Sequence, residues 1–367
     1  MMPHWFDVSP RRLCSITLCL ALALPAPLLA QGEAAPEPVD PVKQGLDLVY
    51  SSNTVTEATR EGVALLEQAA EAGNTEAMVQ LGSLYLFGTV LPQDRKRALG
   101  YFEQAASAGD GAGLQEYGMM QMWGENGWRK AEAYLVRAGE MGEGEAWATL
   151  AEGAMYGYLG GGTASRRKFA GYAEKGRAAG VERIVVLEAN RYMWGISVRA
   201  SGPKAVEILE TAADAGNAEA ARYLIALVRD GNGLNVARNL KAAAGYLDSY
   251  APLLGEAEIW QFALTIDAKR ARDRDGWAAI SDRILAQPEM MTKTLAADLY
   301  KANPNAAVYV LQRKLADEGY DLGRPSGYAD KRTLRAMNRA CRNLVQPALC
   351  EDNVLQPEVV SSLLIFR

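Results

Sequence analysis

The sequence predicts an all-α fold: a solenoid of stacked helical hairpins, followed by a small helical module of a different kind. Three observations lead there. Glycines that close apolar stretches recur at Gly73, Gly109, Gly142, Gly180, Gly216 and, in a degenerate copy, Gly255, at intervals of 36, 33, 38, 36 and 39 residues. Inside the units a second pattern repeats, clearest at Ala77, Leu81, Gly82, Tyr85 and Gly88. Beyond Pro288 the rhythm is expected to stop, and Pro304 precedes residues with another pattern.

The inner pattern describes the first helix of each unit. Offsets of four, five, eight and eleven keep residues on one helical face. The same offsets select Gly113, Tyr117, Gly118, Gln121 and Gly124, then Ala146, Leu150, Ala151, Ala154 and Gly157, then Ala220, Leu224, Ile225, Val228 and Gly231. A small residue at offset five, such as Gly82 or Gly118, is expected to admit another helix backbone. The glycine at offset eleven suits the left-handed residue that ends a helix. In the second helix of the clearest unit Asp94 is the expected N-cap, and Ala98, Phe102, Ala105 and Ala106 form the apolar stripe. Lys204–Gly216 and Asn239–Tyr250 repeat that half. One such hairpin cannot bury its apolar face alone, so neighbours must stack.

At the N-terminus, Arg11 and Arg12 precede an apolar run from Leu13 to Leu24 and then Pro25 to Ala30, the layout of a secretory signal peptide. A membrane span needs about 20 apolar residues, more than this run supplies. Cleavage is expected after Ala30, with Ala26 the alternative; an uncleaved anchor and twin-arginine export are the competing readings. Cys14 and Cys19 lack the small residues of a lipoprotein site, so no lipid is expected. Residues 31–41 read as a Pro/Glu-rich linker, and the exported protein is expected in the periplasm, with no membrane span once the leader is removed.

The net charge is −5, and an acidic chain lacks the basic face that nucleic acid demands. His4, the one histidine, lies in the leader, so Ser-His-Asp triads, Cys-His dyads and His-ligated zinc are excluded from the exported chain. No cofactor, metal site or catalytic residue is expected. Carboxylate-pair hydrolysis stays formally open, as does Ser-Lys chemistry. Cys341 and Cys350, the remaining cysteines, lie nine residues apart, and a disulfide is the default in an oxidising compartment, with a reactive or metal-binding thiol pair the minor reading. Trp123, Trp128, Trp147, Tyr156, Tyr192 and Trp194 recur near the first helices and read mainly as core, with a partner or glycan groove as the alternative.

Ala77–Gly109 resembles a Sel-one-like repeat, a relative of the tetratricopeptide repeat, and Lys204–Gly231 does so again. The resemblance extends over residues 42–287, with degenerate ends and a departure at Leu159–Gly162. It implies a right-handed solenoid that serves as a protein-interaction scaffold. Residues 288–304 are expected as a short connector, with a helix left open around Thr292–Ala302.

Residues 305–367 resemble a small three-helix peptidoglycan-binding domain. The matching positions are Leu311-Gln312, Gly319-Tyr320, Ser326-Gly327 and Thr333; Ser326 stands where the family has aspartate, and Asp330 where it has a second glycine. The resemblance implies peptidoglycan as ligand, with Tyr320, Arg324, Ser326, Tyr328 and Arg332 on the turn and loop between two helices as candidate contacts. Arginine can pair bidentately with a stem-peptide carboxylate, and tyrosine offers a stacking face and a hydroxyl. The expected function is therefore a periplasmic, non-catalytic scaffold holding an unidentified protein and contacting the wall. The alternatives are a regulator restraining an envelope sensor or secretion component, and a carboxylate-dependent wall hydrolase.

Overall fold

The structure is a computed structural model that describes residues 40–51, 55–88, 90–122, 128–344, 347–351 and 353–365. The expected leader, nearly all of the linker, and Trp123 and Gly124 lie outside the described residues. Among the described residues seven hairpins follow in order: α1 (Pro41–Val49) with α2 (Glu57–Glu71), α3 (Thr75–Phe87) with α4 (Arg95–Ser107), α5 (Gly111–Met122) with α6 (Trp128–Glu140), α7 (Gly144–Tyr156) with α8 (Arg166–Ala178), α9 (Arg183–Trp194) with α10 (Gly202–Asp214), α11 (Ala218–Asp230) with α12 (Leu240–Tyr250), and α13 (Glu256–Arg270) with α14 (Arg274–Ala286). Then come α15 (Lys293–Ala302), α16 (Pro304–Asp317), α17 (Lys331–Cys341) and α18 (Pro357–Ile365), and no strand occurs among the described residues.

Local chemistry sets the helix ends. Asn74 and Asn217 cap first helices, and Asp94, Ser165, Ser201 and Asn239 cap second ones, each side chain accepting from a backbone N–H in the first turn. Gly109 closes α4 at φ 86°, donating to Ala106 O while Asp110 N–H reaches Ala105 O. That paired bond is the Schellman arrangement, which a side chain at this φ would strain. Gly255 departs from the series. Its φ is −73° and it opens α13 rather than closing α12.

Small residues decide how the helices meet, though not as offset five suggested. A Cβ on Gly82 would stand 2.5 Å from the Phe102 ring, and one on Gly118 2.9 Å from the Leu135 side chain. These glycines receive side chains of the following helix. Backbones approach instead at the first position of the pattern, where a Cβ on Gly113 would lie 2.8 Å from the Ala105 carbonyl carbon and the Ala106 nitrogen. Since Phe102 is fully buried, Gly82→Leu is expected to overpack this contact and destabilise the chain by about 1–3 kcal/mol. An unchanged denaturation midpoint would refute that account of the packing.

Polar bonds tie equivalent positions of successive repeats, with partners about one period apart. Tyr246 and Tyr250 on α12 donate to Glu210 and Asp214 on α10, each across 36 residues. Arg222 pairs with Glu258 across the same separation, and Lys168 with Glu132. The ladder runs past α13. Gln261 donates to Asp298 over 37 residues, and Asn303, the N-cap of α16, donates to Ala268 O at 2.8 Å.

The connector expected at residues 288–304 contains a helix that continues the ladder. Helix α15 takes the place of an eighth first helix, beginning at Lys293 where α13 begins at Glu256, and it buries Leu295, Ala296 and Leu299. One apolar core joins Leu264 and Ala268 of α13, Trp277 and Ile280 of α14, these α15 residues, and Leu311, Met337 and Leu363 of the last three helices. Cys341 and Cys350 form a disulfide across this end, with Cα atoms 6.1 Å apart.

Candidate functional site

Gln312 organises the loop between α16 and α17. Its side chain is 2% exposed, yet both ends of the amide are satisfied. Oε1 accepts the backbone N–H of Ser326 and of Gly327, each at 2.8 Å. Nε2 donates to Tyr328 O and to Thr333 Oγ1, each at 2.9 Å. Thr333 in turn donates to Asp330 Oδ1, and Asp330 caps α17 by accepting Thr333 N–H at 2.8 Å. Those backbone and hydroxyl bonds from Thr333 hold the Asp330 carboxyl below the usual carboxylate range. Ser326 accepts Tyr328 N–H on its Oγ at 3.2 Å, so a hydroxyl closes the turn at the position where the resembled family has a carboxylate.

The five candidate contacts separate by environment. Tyr320 is half-buried against the C-terminal core, and its N–H closes the end of α16 on Leu315 O. Ser326 is taken up by the clamp. Arg324 and Arg332 are exposed, and a Cβ on Gly323 would stand 3.4 Å from the Arg332 guanidinium. Tyr328 is 60% exposed, with its ring edge-on to Trp277 at 5.6 Å. Trp277 belongs to α14, so a repeat hairpin supplies the floor of the loop, and a Cβ on Gly327 would stand 2.4 Å from the indole. Arg313 of α16 adds bonds to Ser281 and Asp282 of α14. Trp277 is not legible in the sequence as part of the loop, because its 51-residue distance from Tyr328 leaves no periodic trace. Arg335, Arg339 and Arg342 leave a signal that could have found them, since the spacing in KRTLRAMNRACR places them near one helical face.

Along the repeats, Trp147 is core. It is 6% exposed, stacked on Tyr172 at 6.2 Å, with Lys175 Nζ 4.2 Å from its ring centroid. Tyr156 and Trp194 end their helices exposed, as does Phe87, while Trp128 and Tyr192 are half-buried. A buried ionic node lies at the end of α11. Arg229, 2% exposed, grips both carboxylate oxygens of Asp230 at 3.0 Å and donates to Thr265 at 2.7 Å. Lys269 and Lys301 reach the same carboxylate at 3.2 and 3.3 Å. Burial pushes the Asp230 carboxyl up, but the Arg229 bonds and charge, followed by Lys269, outweigh it and hold the group at about 2.

The Sel1 repeat family matches residues 53–74, 75–110 and 189–217. Those three segments are similar to Sel1 repeats. It is similar to a Sel1 repeat protein from Oxalobacter formigenes, at 16% identity over 62% of this chain and 88% of that one, with a TM-score of 0.39. A putative Sel1 repeat protein from Klebsiella pneumoniae subsp. pneumoniae is 17% identical over 55% of this chain and 97% of its own, with a TM-score of 0.36. A protective antigen of uropathogenic Escherichia coli strains displaying an SLR fold is 17% identical over 89% and 83%, with a TM-score of 0.27. No curated protein matches the sequence. Sel1 repeat proteins typically mediate protein–protein interaction, and the family is generally non-catalytic. Among the described residues no helix is long and apolar enough to cross a membrane.

Proposed function

We propose that the chain is a periplasmic, non-catalytic scaffold that holds a protein through its Sel1 repeats and contacts peptidoglycan through α16–α18. The observation that carries the wall contact is the Gln312 clamp. It fixes a loop on which Arg324 and Tyr328 face solvent, and among the described residues neither side chain has a polar partner. A preorganised loop binds with less ordering cost than a free one. The leader-like N-terminus and the Cys341–Cys350 disulfide support export.

The test uses the chain from Gln31 onward with purified sacculi. Cutting at residue 303 would strip the core that α15 shares with α16 and α18, so substitutions in the full chain are the sound comparison. Arg324→Ala with Tyr328→Ala is expected to weaken co-sedimentation roughly ten-fold, about 1.4 kcal/mol. Its denaturation midpoint should stay close to wild type, because neither side chain is buried. Undiminished sedimentation would remove the loop from the wall contact, and no sedimentation by the parent protein would favour a regulator that binds only protein.

A further inference from the structure

We propose that the exposed face of α17 is a multivalent strip for a carboxylate-bearing polymer, extending the loop site along the wall; this rests on the wall-contact reading above. Residues 331–350 contain Lys331, Arg332, Arg335, Arg339 and Arg342 and no aspartate or glutamate, within a chain of net charge −5. All five cations are exposed, and none takes part in an ion pair among the described residues. Some exposed arginines elsewhere in the protein pair with carboxylates, as Arg177 does with Glu188 and Arg270 with Asp267. The nearest acidic group in sequence, Asp330, is engaged by Thr333 and also feels the charge of Arg332.

The chemistry selects the partner class. Four of the five cations are arginines, whose planar forks pair with carboxylate in two parallel bonds. The apolar side of α17, with Ala336, Met337, Ala340 and Cys341, is buried in the C-terminal core. The helix therefore has no apolar face left to insert among lipid chains, which interfacial helices need. From Arg332 to Arg342 the strip rises about 15 Å, long enough to meet more than one charged stem of a polymer. Arg332 joins it to the clamped loop.

The experiment uses the chain from Gln31 and the triple variant Arg335→Gln, Arg339→Gln, Arg342→Gln, which leaves the loop residues in place. The probes are purified sacculi, sacculi whose carboxyls have been capped as amides, and phosphatidylglycerol–phosphatidylcholine vesicles. Parent binding is expected to fall steeply with salt, and the triple variant to bind sacculi at least about ten-fold more weakly at low salt, with a shallower salt dependence. Capping the sacculus carboxyls should reproduce that loss. Equal binding by the triple variant, alongside a loss in the Arg324→Ala, Tyr328→Ala protein, overturns the strip and leaves the wall reading standing. Full binding to capped sacculi overturns the carboxylate class, and vesicle capture as tight as sacculus capture assigns the strip to a phosphate surface instead. Absence of sacculus binding by the parent at any salt defeats the wall reading itself.

Discussion

Gln312→Leu is expected to destabilise the C-terminal end by about 3–5 kcal/mol, because several backbone groups lose their partners together. Leucine fills similar space in the core but neither accepts from Ser326 and Gly327 nor donates to Tyr328 O and Thr333. Gly327 is buried, so water cannot replace the bond without moving the loop off Trp277. Gln312→Glu should fall between the two, since a carboxylate still accepts both N–H groups while losing the two donations. Urea denaturation measures both. A Gln312→Leu protein within 1 kcal/mol of wild type would mean that the clamp does not hold the loop. The same variant should lose sacculus binding more completely than Arg324→Ala with Tyr328→Ala, because it releases the backbone that presents both side chains.

Asp230→Ala should cost a comparable amount, about 3–5 kcal/mol, for a different reason. Among the described residues it leaves the Arg229 guanidinium buried with Thr265, the Phe262 ring and, at 3.9 Å, Asp298 as partners. Removing one member of a buried pair strands the charge of the other. Replacing Arg229 by leucine as well should restore part of the loss. The pH dependence follows from the carboxyl, held at about 2 against an ordinary 3.8. Between those values the unfolded chain binds more protons, so the contribution of Asp230 is complete above about pH 4 and is lost as pH falls through 2. The difference corresponds to about 2 kcal/mol. Denaturation midpoints between pH 2 and 5 should therefore fall less steeply for Asp230→Asn than for the parent. Parallel curves would dissociate this node from acid stability.

The amino-acid sequence by itself determined the all-helical class, the hairpin unit and most of its ends. Each of those features is local or involves only the adjoining repeat, as in the Gly109 turn and in Phe102 resting on Gly82. It also marked Gln312, Ser326, Gly327 and Thr333, whose spacing carries the resemblance to a wall-binding module, though not the bonds that unite them. Only the tertiary structure decided the rest. Pro288 and Pro304 punctuate the chain as if a linker lay between them, yet α15 is held by Gln261–Asp298 and Asn303–Ala268 contacts that no local pattern announces. Arg229 is written like an ordinary basic residue in the last turn of a helix. It is buried because its guanidinium is drawn onto Asp230 and onto Thr265 of α13, with Lys301 of α15 closing on the same carboxylate. Trp277 lies beneath Gly327 and Tyr328 because α16 packs on α14. Periodicity reports which face of a helix is apolar; it does not report which distant backbone that face receives.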